Sequence, residues 1–170
     1  MIEMRVMGIA LDTRTGAPIV VLNDKSNRKA LPIWIGSAEA SAIIRKIENI
    51  KSSRPMTHDL FMQISEQSEY QITKVEINDV DDQTYFSTIY MFNEKLNHEL
   101  KIDSRPSDAI AIALRADVPI FVTDNVLATG LISTDVEKDE QEAQEFKDFI
   151  QDIKPSDFEK LLKKNFESDQ

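Results

Sequence analysis

Cysteine is absent from the 170-residue chain, which excludes disulfides, cysteine–zinc sites and a thiol nucleophile together. Histidine is almost absent: His58 and His98 are the only two, too few for a His-rich metal centre. No apolar run approaches the roughly 18–20 residues that a membrane helix requires. The first residues, Met1-Ile2-Glu3-Met4-Arg5-Val6, are acidic and then strand-like, without the layout of a signal peptide. A soluble, cytoplasmic chain without a membrane partner is the expectation. Basic charge is short as well. With 20 Lys+Arg against 30 Asp+Glu the net charge is −10, which argues against coating nucleic acid by bulk electrostatics.

What is present suits a globular domain. The length fits one domain with an appendage, and 41% apolar with 29% charged residues is ordinary for such a domain. The charge is unevenly placed. Residues 1–54 are net basic and the remainder is acidic, so a local basic surface from Arg14, Arg28, Lys29, Arg45, Lys46, Lys51 and Arg54 stays open beside the plainer reading of scattered, solvated charges.

Taken in order, Met4–Leu11, Ile19–Leu22 and Leu31–Ile35 read as strands, separated by turns at Asp12–Gly16 and Asn23–Asn27; Pro32 suggests an edge or a bulge. A helix follows with Ser37 as candidate N-cap and Glu39 in its first turn, and a second opens near Thr57 with His58 and Asp59. Strands return at Ile72–Val80, Tyr85–Phe92 and Glu99–Ile102. A third helix carries the run Ala109-Ile110-Ala111-Ile112-Ala113-Leu114, and Pro119–Val122 is a last short strand. Sliding the chain by 69 positions pairs Val6 with Val75, Asp12 with Asp81, Leu31 with Leu100, Ala40 with Ala109 and Glu39 with Asp108. This predicts an α+β fold made of a duplicated β-β-β-α unit with pseudo-two-fold symmetry, largely antiparallel within each unit. The domain is expected over residues 1–132. An acidic helical extension is expected over 133–170, with apolar stripes at Phe146, Phe149, Ile150 and Ile153 and at Phe158, Leu161 and Leu162.

Three polar clusters fall at helix starts: Gly36–Glu39, Arg54–Asp59 and Asp103–Asp108. Helix N-termini offer unpaired N–H groups and a positive dipole end, and an arginine beside one adds a planar fork for phosphate. Phosphodiester hydrolysis needs charge stabilisation, a base or metal to activate water, and an acid for the leaving oxygen. Arg54 and Arg105 suit the first task, with Ser104 and Ser107 as further substrate contacts. His58 suits proton transfer near neutrality. Glu39, Asp59, Asp103 and Asp108 are candidates to orient the histidine, and Asp103 and Asp108 are the donors for Mg²⁺ if a divalent ion is used. A structural reading stands beside each. Arg105 and Asp108 are spaced to pair on a helix, Ser37, Thr57 and Ser104 are ordinary caps, and Glu39 and Asp59 fit the first-turn dipole preference. The 69-residue offset sets Trp34 and Gly36 against Asp103 and Arg105, which marks the latter two as the better functional candidates.

At these residues the chain resembles the bifunctional nuclease domain family of bacteria and plants. The matching motifs are Leu31-Pro32-Ile33-Trp34-Ile35-Gly36 with Glu39-Ala40, Arg54-Pro55 followed by Thr57-His58-Asp59-Leu60, and Asp103-Ser104-Arg105-Pro106-Ser107-Asp108-Ala109-Ile110-Ala111. The resemblance covers about residues 3–130. It implies an α+β domain that associates as a homodimer and hydrolyses DNA and/or RNA. The alternative kept from the residues alone is a non-catalytic binding or regulatory module held together by the same polar clusters.

Overall fold

The computed structural model describes residues 1–82, 84–130 and 132–133; the expected acidic helical extension, with its two apolar stripes, lies outside the described residues. Strands β1 (Ile2–Leu11), β2 (Pro18–Asp24) and β3 (Lys29–Trp34) form an antiparallel meander, followed by helix α1 (Ser37–Ile47). Helix α2 (Thr57–Gln67) comes next. A second meander of β4 (Gln71–Asp81), β5 (Thr84–Asn93) and β6 (His98–Ser104) then runs into α3 (Pro106–Ala116). Strand β7 (Ile120–Val122), helix α4 (Asp124–Gly130) and β8 (Ile132–Ser133) complete the described chain.

One mixed eight-stranded sheet results, in the order β6-β5-β4-β7-β1-β2-β3-β8. Strand β7 joins the meanders, running parallel to β4 and antiparallel to β1. The first meander and α1, and the second meander and α3, follow the same order, and the two helices occupy stretches 69 residues apart, 37–47 and 106–116.

Alternation along the strands sets the core. In β5 the residues Ser87, Ile89, Met91 and Asn93 are buried while their neighbours are partly exposed. Ile89 and Met91 join Val75, Ile77, Val20, Leu22, Leu31 and Ile33 in one cluster with Ile43 of α1 and Ile110 of α3. Helix α3 is the most buried helix. Its face Ala109 to Ala113 is almost fully covered, which explains why small and β-branched residues alternate there at the cost of some helix propensity. Pro106 opens α3 where its missing N–H removes no helical bond.

The sheet curls. Gly130, at the end of α4, lies against both Tyr85 of β5 and Leu31 of β3, strands that a flat sheet would hold more than 20 Å apart. Bulges between Val6 and Gly8 in β1, and at two points in β4, add the local twist this requires. The curl brings the end of β3 beside the start of β5, next to the starts of α1 and α3. Pro32 pairs with Val21 of β2, whereas β8 reaches only Lys29 and Ala30, so its ring sits on the unpaired side of β3 as its chemistry demands.

Helix starts differ from expectation by one residue. The N-caps are Gly36, Met56 and Arg105, not Ser37, Thr57 and Ser104, and none makes a side-chain cap bond. The orphan N–H of Met56 is instead taken by Asp59 Oδ2 at 2.9 Å.

Candidate active site

Three segments distant in sequence meet at one point. Arg105, at the start of α3, donates from Nη1 to Glu39 Oε1 at 2.7 Å, from Nε to Asp108 Oδ2 at 2.7 Å, and from Nη2 to Asp108 Oδ1 at 3.2 Å. Asp108 Oδ1 also meets His58 Nε2 of α2 at 3.1 Å. Glu39 and Asp108 are each the third residue of their helix, so the acids aligned by the 69-residue offset are gripped by one guanidinium. The residue that the 69-residue offset aligns with Arg105 is Gly36, and the Glu39 carboxylate occupies the place a Cβ there would fill. A glycine is therefore what lets Glu39 fold back over its own helix start.

The surroundings form an open cleft of about 320 Å³ lined by Trp34, Gly36, Glu39, Tyr85, Arg105 and Ser107, among others. Its rim is exposed: the Arg105 side chain is 65% accessible and Trp34 is 54% exposed. The Trp34 indole is held by Nε1 donating to Asp12 Oδ2 at 3.2 Å, while Asp12 also accepts from the backbone of Arg14 and Thr15.

The expected site residues separate into groups. Glu39, His58, Arg105 and Asp108 come together. His58 does not reach the cleft as a direct base would, because its ring is 13% exposed and stands behind Asp108. Burial raises the pKa of the Asp108 carboxyl, but hydrogen bonds from Arg105 and His58 outweigh it and hold the group below the usual range. An ionised carboxylate only accepts, so in neutral His58 the proton sits on Nε2 and the lone pair on Nδ1, a buried atom with no partner. Asp59 belongs to a different pair, with Arg115 Nε at 2.7 Å. Ser104 bonds Ser87 across β5 and β6, Oγ to Oγ at 2.9 Å, and has a structural task rather than a cap's. Ser107 is buried against the cleft, and Arg54 is exposed in the connector between α1 and α2.

Asp103 takes a different position. Strand β6 continues to Ser104 instead of ending at Ile102, so strict alternation applies: Leu100 and Ile102 pack on the core, and the exposed Asp103 after them points away from it, opposite Thr88 of β5. Among the described residues no three His, Asp or Glu side chains gather in a metal-holding group. Three residues were not among the expected site residues: Trp34, Tyr85 and Arg115. The single tryptophan beside Gly36, at the position aligned with Asp103, was the available signal for the first.

The Asp59–Arg115 pair makes a pH prediction. The hydrogen bond from Arg115 leads in lowering the Asp59 pKa, with burial opposing it and the Met56 N–H adding to it. A depressed folded-state pKa contributes stability that is complete above the unfolded value near 4 and is lost as pH falls through the folded value. Urea unfolding between pH 6 and pH 2 is therefore expected to show a steep acid loss in the parent and a flatter profile in Asp59→Asn. Parallel profiles would remove this pair from the account of acid sensitivity.

Residues 20–135 match the sequence profile of the Bifunctional nuclease domain. An uncharacterized protein of Mycobacterium tuberculosis (strain H37Rv) is 34% identical over 165 residues, covering 92% of this chain and 97% of its own. Bifunctional nuclease 1 of Oryza sativa subsp. japonica is 30% identical over 118 residues, 66% of this chain and 35% of that protein. Bifunctional nuclease 1 of Arabidopsis thaliana is 25% identical over 127 residues, 69% of this chain and 39% of that one. The aligned stretch spans little more than a third of the plant relatives.

Proposed function

The chain belongs to the bifunctional nuclease domain family, and on that footing we propose that it hydrolyses phosphodiester bonds of DNA or RNA in the cleft between the starts of α1 and α3. The observation that carries this reading is the Arg105 guanidinium, exposed at the cleft yet fixed by Glu39 and Asp108. A fork held in this way meets a phosphoryl group without first losing side-chain freedom. Glu39 Oε1 is bound to Arg105 while Oε2 has no hydrogen bond among the described residues, so this oxygen is the acceptor for a proton from an attacking water. Asp108 and His58 act behind Arg105 as positioning residues.

Two carboxylates against one guanidinium leave the cluster net negative, and an approaching phosphodiester calls for an added cation. Magnesium commonly uses one or two carboxylates plus substrate phosphate, and Glu39 is the cleft-lining donor that fits; an ion held there would supply charge neutralisation and activate water in place of the base role of Oε2. Trp34 presents an indole face beside Arg105, suited to stacking an unpaired base. Trp34→Ala is expected to weaken binding of a fluorescent single-stranded oligonucleotide about tenfold, in line with roughly 1–3 kcal/mol per stacked base. Unaltered anisotropy titrations would remove Trp34 from the substrate path.

The primary test is cleavage of labelled single- and double-stranded DNA and RNA in Mg²⁺, Mn²⁺ or chelator. A homodimer in the cytoplasm is the assembly and setting that accompany this proposal. One observation favours the non-catalytic reading: beside the Arg105–Asp108 pair at the start of α3, two contacts join separate helices, Arg105 linking α1 to α3 and His58 linking α2 to α3. Absence of cleavage under all three conditions, together with a melting temperature several degrees lower in Arg105→Ala, would select it.

A further inference from the structure

A second cleft, of about 380 Å³, opens at the other end of α3, where the end of α1, the 48–56 connector and the start of α2 meet. Arg105 and Arg115 lie ten residues apart on α3, so the two clefts are separated by about 15 Å along that helix. Four cations, Arg45, Lys46, Lys51 and Arg115, line this one against a single carboxylate, Asp59. That carboxylate is already answered by Arg115 at 2.7 Å and by the Met56 N–H. Arg45, Lys46 and Lys51 have no ion pair among the described residues. In a chain of net charge −10, three cations without an ion-pair partner thus gather in one concavity.

The local fold gathers them. The chain reverses at the end of α1, with Asn49 in the left-handed region (φ 54°) and Ile50 N–H bonded to Arg45 O at 2.8 Å. The reversal returns Ser52 to Arg45, whose Nη2 donates to Ser52 Oγ at 3.2 Å. The carbonyls of Ile44, Arg45 and Lys46, which would repel an anion, are each bonded to an N–H of residues 48–50. Arg45 Nε is buried and has no acceptor. A buried charged donor without a partner is unfavourable by more than a neutral one, so the Arg45 charge is left uncompensated beside the cleft.

We infer that this cleft binds a phosphate group, engaged by Arg45, Lys46 and Lys51, at a site separate from the one holding Glu39 and Arg105. Two sources share that chemistry, the backbone of a polynucleotide and a free phosphate ligand. Assignment to the polynucleotide backbone rests on the nuclease reading; the phosphate site itself does not.

The test uses the full chain, isotope-labelled, and two probes: inorganic phosphate, and a fluorescent single-stranded oligonucleotide. Lys46→Ala/Lys51→Ala removes two surface cations without touching the core. With the oligonucleotide, the double variant is expected to bind about tenfold more weakly at physiological salt. Its slope of log affinity against log salt is expected to be shallower by about 1.4, the loss of two single-strand phosphate contacts. Arg14→Ala/Lys25→Ala, equal in charge but outside the cleft, is expected to change affinity less than twofold. With inorganic phosphate, the amide signals of positions 51 and 52 are expected to shift in the parent and stay still in the double variant.

Oligonucleotide binding with parental affinity and slope in the double variant overturns the proposal while leaving the nuclease reading intact. Phosphate shifts without oligonucleotide binding uphold the phosphate site, assign it to a free ligand and count against the nuclease reading. No response to either probe in the parent overturns the phosphate site.

Discussion

Arg115→Ala is expected to destabilise the fold by about 3 kcal/mol, whereas Arg105→Ala changes it by about 1 kcal/mol or less. The difference lies in burial. The Arg115 side chain is 8% exposed and makes three bonds, to Asp59 Oδ1 at 2.7 Å, Ala111 O at 2.9 Å and Ala42 O at 3.3 Å. It ties α3 to both α1 and α2. Removing it opens a cavity, lifts a packed stem from the helix junction and leaves a carboxylate short of its partner. Loss of one member of a buried pair typically amounts to 3–5 kcal/mol; the 38% exposure of Asp59 lets water take part of the load and sets the expectation at the low end. A loss of this size lowers the melting temperature by roughly 10 °C. Arg105 is 65% exposed, so solvent replaces most of what alanine removes. Denaturant unfolding of both variants decides the point. Equal losses would mean that Arg105 is as structural as Arg115, and would shift weight to the non-catalytic reading of the first cleft.

These two arginines also mark what sequence alone could and could not disclose. The spacing of Arg105 and Asp108 announces a helical pair, and that pair exists. The contact of Arg105 with Glu39, 66 residues away, is tertiary; only the 69-residue alignment of the two acids hinted that they share a partner. Arg115 sits in an ordinary last-turn position for a cation and carried no local sign of its burial. The strands were legible because short runs rich in β-branched residues are set off by turn residues, and the two long meanders emerged with most ends extended by one or two residues, β3 alone stopping one residue early at Trp34. Strand β6 is the instructive case: with two more residues at its end, Asp103 becomes a strand residue facing outward instead of part of a helix start. Helix caps were misplaced by one residue because no serine or threonine hydroxyl caps these helices. Helix α4 and strand β8 were not anticipated. At seven and two residues they are too short for a periodic signal and depend on the sheet they pack against.

The other large effect concerns rate. Glu39→Gln is expected to lower single-turnover cleavage by about 10²–10⁴-fold, the usual contribution of a positioned general base, while preserving the hydrogen bond to Arg105 and hence the fold. An amide oxygen still accepts from the guanidinium, but it takes no proton from water. Asp108→Asn acts at one remove. It discards the charge that steadies Arg105, and because an amide offers one acceptor oxygen where the carboxylate offers two, Arg105 and His58 must compete for it. The expected signature is a weakened grip on substrate as well as a slower step, so KM rises while kcat falls. His58, partly buried behind Asp108, is a positioning residue: His58→Ala is expected to be impaired and His58→Gln partly restored, since the glutamine amide still donates to Asp108. A histidine acting as the base itself would show no such rescue. Parental cleavage by Glu39→Gln would move the base elsewhere. A His58→Gln as inactive as His58→Ala would return the histidine to the reacting centre.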